Sequence, residues 1–182
     1  MAGYLIFSGG RPGIGKWYER FFRWALRGLT KSKWTHVSLM KKTSDNIVDC
    51  LMLEATYPKV QVGKVSQLLP LDRNYLQVVR IDNWDEKEFN QIFDILCKEE
   101  IGKDYALAQV IFASLAIIFR TKNLITYGRS CSELVKNAFD LSPQFFNLFN
   151  RYEDSKISPQ DIEDTIRAWF YDGNAKVDLE IN

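Results

Sequence analysis

Histidine is almost missing from this chain: His36 is the only one in 182 residues. Cysteine is scarce too, and Cys50, Cys97 and Cys131 stand far apart. One imidazole and three scattered thiols exclude a zinc centre of recognisable ligand spacing. An odd cysteine count without close spacing also excludes a disulfide framework and fits a reducing compartment. A dominant charge sign is lacking as well, with 24 Lys and Arg against 23 Asp and Glu and a formal net charge of +1. That balance leaves no global electrostatic footprint for nucleic acid. The one basic stretch, Arg20, Arg23, Arg27, Lys31 and Lys33, reads as the solvated face of an early helix. The first residues, Met1 to Phe7, have neither the basic start nor the long apolar core of a secretory signal, so a cytoplasmic location is expected. The longest apolar run, Leu107 to Phe119, is interrupted by Gln109 and Ser114 and ends at Arg120. It falls short of the roughly 18 residues of a membrane span and reads as a buried or interfacial helix.

What the chain does have is core material. Apolar residues make up 46%, aromatics 14% and charged residues 26%, the composition of a folded domain. At this length a single domain over residues 1–182 is expected, without internal repeats or low-complexity tracts. Tyr4 to Ser8 reads as a short strand followed by a Gly- and Pro-rich loop from Gly9 to Gly15, and Lys16 to Leu29 as an amphipathic helix. Trp34–Met40 and Ile47–Ala55 read as strands joined by a polar connection, with further strands at Gln61–Val65 and Leu76–Ile81. Asp85 is placed to cap a helix reaching about Glu100, with Glu88 completing a capping box and Phe89, Ile92, Phe93 and Leu96 as its apolar face. Ser130 and Glu133 repeat that spacing ahead of Leu134, Val135, Ala138 and Phe139. Ser158 and Pro159 open a last helix.

The second capping box puts Cys131 in the first turn of a helix, where unpaired N–H groups and the positive end of the dipole favour a thiolate. Arg129 adds a positive charge nearby. A lowered thiol pKa is what a nucleophilic cysteine needs, whereas Cys50, in an apolar strand, and Cys97, on a helix, read as inert. Any imidazole base must be His36. In a hairpin centred between Lys41 and Ile47, facing residues have numbers summing to about 88 or 90, and residues of equal parity share a face. His36 and Glu54 meet both conditions, as direct or diagonal neighbours roughly 5 to 8 Å apart at the side-chain roots. A carboxylate there can hold the imidazole tautomer. Nucleophile, base and orienter are thus all candidates, and the Cys131 N–H would supply part of an oxyanion hole.

Five segments in this order, Thr35-His36-Val37-Ser38, Leu53-Glu54-Ala55, Gly102-Lys103-Asp104-Tyr105, Cys131-Ser132-Glu133-Leu134-Val135 and Ser158-Pro159-Gln160-Asp161, resemble the YiiX and YaeF group of circularly permuted papain-like proteins. These are relatives of the NlpC-type cell-wall hydrolases and of lecithin:retinol acyltransferase. The resemblance spans most of the chain and implies an α+β fold with a small antiparallel sheet packed against the nucleophile helix. It matches Cys131 to the nucleophile, His36 to the base and Glu54 to the polar third member. Tyr105 matches a tyrosine beside the cysteine, although Tyr127 is equally reachable by sequence. Ser130 and Arg129 would support the site. The long apolar stretch between Tyr105 and Cys131 departs from the pattern, and is either core, the wall of an acyl-chain pocket or a docking segment.

Gly10-Arg11-Pro12-Gly13-Ile14-Gly15-Lys16 matches the start of a phosphate-binding loop, but Trp17 stands where a magnesium-binding hydroxyl belongs, and the strands do not alternate with helices. The function expected from the residues and the resemblance together is a cysteine amidase or peptidase acting through an acyl-enzyme, with no metal or organic cofactor. The alternatives are a lipid or acyl-chain thioesterase or acyltransferase on the same residues, and a binding protein that keeps the fold without the chemistry. Expected partners are a peptide, a cell-wall fragment or an acylated substrate, with no nucleic acid, and with peripheral lipid contact through 107–119. A bacterial or phage source would suit a cell-wall substrate.

Overall fold

The computed structural model describes residues 2–10, 34–56, 58–68, 74–105, 130–152, 157–171, 173 and 175–181. The glycine-rich loop beyond Gly10, the helix expected at Lys16–Leu29, the apolar run Leu107–Phe119, Tyr127 and Arg129 lie outside these residues. The fold is α+β. Strands β1 (Gly3–Gly10), β2 (His36–Lys41), β3 (Leu51–Ala55), β4 (Val60–Lys64), β5 (Asn74–Ile81) and β6 (Ala175–Ile181) form one antiparallel sheet in the order β4-β3-β2-β1-β5-β6. Helices α1 (Glu86–Glu100), α2 (Cys131–Asp140) and α3 (Pro159–Tyr171) accompany it.

Period-two alternation sorts the strand residues onto two faces. Leu5, Phe7, Val37, Leu39, Leu53, Val79 and Ile81 enter the core shared with the helices, while Tyr4, Ile6, Met40, Met52, Leu76 and Val78 form a second apolar layer. β1, central and buried on both faces, therefore reads as a continuous apolar run from Tyr4 to Phe7. At Gly3 the backbone comes so close to Trp84 that an added Cβ would lie 2.7 Å from its ring. Trp84 in turn packs on Phe139 of α2 (ring centroids 4.5 Å apart) and edge-on to Phe89 and Phe145. This aromatic cluster fastens α2, which lies across β2 and β3.

Two local expectations need correction. Ile47–Asp49 is a short 3-10 turn rather than the start of β3, so the β2–β3 connection is longer and facing residues sum to 92, as in Leu39 with Leu53 and Met40 with Met52. A shift by an even number keeps every side chain on its face. His36 and Glu54 remain on one face as diagonal neighbours. The α1 capping box is half made: Asp85 accepts the Glu88 N–H at 3.0 Å, but the Glu88 carboxylate accepts the Ser142 hydroxyl. One strand, β6, was not expected, although Ala175, Val177, Leu179 and Ile181 alternate with Lys176, Asp178 and Glu180 in the period of a strand.

Candidate active site

Ser130 caps α2. Its hydroxyl accepts the Glu133 N–H at 3.2 Å, and the Glu133 carboxylate accepts the Ser130 N–H at 2.9 Å. Both halves of the box are present, so the helix start is fixed and Cys131 is its first residue. The cysteine is 5% exposed and belongs to the helix-side core. Ser130 thus sets the geometry of the turn that carries Cys131.

His36 is the first residue of β2, and the β2–β3 ladder ends at Leu39 and Leu53. Past the end of that ladder, the His36 ring and the Val37 backbone N–H act electrostatically on the Cys131 side chain, each favouring its thiolate. The other side of the imidazole is equally engaged. Nε2 lies 3.1 Å from Glu54 Oε2 and 3.0 Å from the Ser38 hydroxyl, which leaves Nδ1 as the ring nitrogen for the thiol. Glu54 Oε1 accepts from Gln61 Nε2 at 3.0 Å. Ser38 and Gln61 escaped the reading of the sequence, yet the signals were there. Ser38 shares a face with His36 two residues on, and Gln61 stands directly opposite Glu54 across β3 and β4.

Electrostatics follow from this packing. Burial opposes the charged imidazolium, but hydrogen bonds and charge from Cys131, and then from Glu54, outweigh it and raise the His36 pKa to about 10. Burial likewise opposes a Cys131 thiolate. The His36 hydrogen bond and charge, the Val37 N–H and the Ser132 hydroxyl nevertheless lower its pKa below the ordinary thiol value. Glu54 is held below the usual carboxylate range, against its burial, by His36 and Gln61. The arrangement favours a thiolate–imidazolium pair over a neutral thiol and imidazole.

Tyr105 arrives by main-chain pairing. Gly102, at φ 85°, ends the α1 segment in the left-handed region that suits glycine, and the chain then runs against the start of β4. There the Tyr105 N–H donates to the Pro58 carbonyl at 2.8 Å, and the Val60 N–H to the Lys103 carbonyl at 2.9 Å. Burial, followed by the charges of Cys131 and Glu133, pushes the Tyr105 phenol pKa up, so it stays protonated. The other cysteines differ. Burial and Asp94 push Cys97 up to about 11, and Cys50 donates to the Ser44 carbonyl at 3.3 Å. Among the described residues no group of three or more His, Cys, Asp or Glu side chains is placed to hold a metal ion, and no helix is long and apolar enough to cross a membrane.

No family model and no curated protein matches the chain. Among solved structures it is similar to the metalloprotein YiiX from Escherichia coli O157:H7, with a TM-score of 0.59 and 16% identity over 100% of this chain and 97% of that one. At that identity the likeness concerns the fold, which agrees with the α+β permuted papain-like architecture expected from the sequence.

Proposed function

We propose that this protein is a cysteine acyl hydrolase, an amidase or peptidase, with Cys131 as nucleophile, His36 as acid and base, and Glu54 as the residue that orients His36. The observation that carries the reading is the placement of His36 with Nε2 3.1 Å from Glu54 Oε2, together with its electrostatic interaction with Cys131 at the start of α2. In the first step the Cys131 thiolate adds to the substrate carbonyl, forming the S–C bond. The tetrahedral intermediate then expels the amine as the C–N bond breaks, and the amine takes the Nδ1 proton of the imidazolium. Neutral His36 next removes a proton from water, the resulting hydroxide adds to the thioester carbon, and the thiolate leaves with its imidazolium restored. Glu54 keeps the Nε2 proton in place throughout. Developing charge on the carbonyl oxygen would be met by the Cys131 N–H, in the helix turn that has no intrahelical acceptor, and by the Tyr105 hydroxyl.

A thioesterase or acyltransferase would use the same residues and differ in the leaving group or acceptor. The resemblance to the permuted papain-like group favours an amide or peptide bond, so the amidase reading is preferred. YiiX, a structural neighbour, is described as a metalloprotein. Among the described residues here no group of three or more His, Cys, Asp or Glu side chains is placed to hold a metal ion.

The test is site-resolved alkylation by iodoacetamide across pH, followed by mass spectrometry, in the native protein and in His36→Ala. Cys131 should react selectively below pH 7, and that reactivity should vanish without His36. Titration of Cys131 like an ordinary thiol near about pH 8.5 would overturn the assignment.

A further inference from the structure

We propose that Gln61 is a positioning residue of this site, acting on His36 through Glu54. The inference rests on the assignment of Cys131 and His36 as nucleophile and base, and adds a residue from a third strand.

The geometry is specific. Glu54 and Gln61 face each other across β3 and β4. The Gln61 amide donates to Glu54 Oε1 at 3.0 Å while Oε2 holds His36 Nε2 at 3.1 Å. The terminal torsion of a glutamate is broad and nearly two-fold, so an unpinned carboxylate swings freely. With a different donor on each oxygen, that rotation is stopped and the oxygen facing His36 stays in its plane. Gln61 itself is solvent-exposed on β4, whereas Glu54 is 6% exposed. An exposed amide that turns back onto a buried carboxylate, when water is available to it, shields that carboxylate as well as orienting it. Its donated hydrogen bond favours the ionised form of Glu54. An ionised Glu54 in turn keeps the Nε2 proton on His36, which preserves Nδ1 for the thiol. Ser38 closes the array from the other side, with its fully buried hydroxyl on Nε2.

The chain has one histidine, so the ring 15N signals in a nuclear magnetic resonance titration belong to His36 alone. Three variants of the full chain separate the hydrogen bond from mere bulk: Gln61→Leu, Gln61→Glu and Gln61→Lys. In Gln61→Leu the acid limb of Cys131 alkylation, and the matching change in the His36 signals, should move up by about one pH unit, the lower end for losing one hydrogen bond to a carboxylate. Gln61→Glu should move them further, because a second carboxylate then faces Glu54. Gln61→Lys, which restores a donor and adds a positive charge, should return them to the wild-type position or below.

Superposition of all three on the wild type, or equal upward shifts in all three, overturns the proposal. The latter would mark a packing effect without regard to donor or charge. These titrations need no turnover. The expected order of variants together with failure to cleave any amide or thioester would leave the positioning role standing and sink the catalytic reading. A wild type with no acid limb at all would sink both.

Discussion

Glu54→Gln is the most informative single change, because it keeps the shape of the side chain and removes its charge. In the native protein both oxygens accept, Oε2 from His36 at 3.1 Å and Oε1 from Gln61 at 3.0 Å. A carboxamide offers one oxygen and one NH2 group, so it can satisfy either donor but not both. The lost interaction is a hydrogen bond to a charged group, worth about 1.5–3 kcal/mol. At about 1.4 kcal/mol per pH unit this lowers the His36 midpoint by about one to two units. From about 10 in the native protein, the midpoint should fall to about 8–9, and the thiolate should form at correspondingly higher pH. The assay is a 15N titration of the lone imidazole, paired with the alkylation rate of Cys131. Turnover in this variant should drop and some should remain, since Glu54 orients and does not react. A wild-type midpoint near the ordinary histidine value of 6.5, or a midpoint unmoved by the substitution, would refute the reasoning.

Cys131→Ala should abolish turnover and leave the fold intact, and it should lower the His36 midpoint further than Glu54→Gln does, because the cysteine is the larger of the two raising influences; full activity in this variant would exclude Cys131 as nucleophile. Ser130→Ala removes the hydroxyl that accepts from Glu133 and should cost about 1 kcal/mol, seen as a fall in Tm of about 2–4 °C for a chain of this size. The pH dependence of stability has a defined sign. The raised His36 pKa contributes fully below 6.5 and is lost as pH rises through about 10, while the lowered Glu54 pKa contributes above 4.5 and is lost as pH falls below it. The excess Tm of wild type over Glu54→Gln should therefore be greatest between about pH 5 and 9 and shrink on both sides; a difference that is constant with pH would argue against the pair.

Local rules written in the sequence determined much of this protein. Capping residues act within one helical turn, so Ser130 with Glu133 and Ser158 with Pro159 announced the starts of α2 and α3, and with the first of these the placement of Cys131. Alternation is equally local, and it put His36 and Glu54 on one face for every even register sum, 88, 90 or the observed 92, since an even shift preserves parity. The tertiary structure decided what no local rule reaches. The 3-10 turn at Ile47–Asp49 set the register at a sum of 92 and made the His36–Glu54 contact diagonal. Glu88 exchanged its expected cap for the Ser142 hydroxyl, a partner 54 residues away. Tyr105 was fixed by the pairing of residues 102–105 with the start of β4, and Gln61 reached Glu54 through the β3–β4 ladder. Such long-range contacts depend on how elements pack after they form, and on which of several donors comes nearest a buried charge. Sequence spacing encodes the elements, while the distances that tune the thiol, the imidazole and the carboxylate exist only once those elements have been brought together.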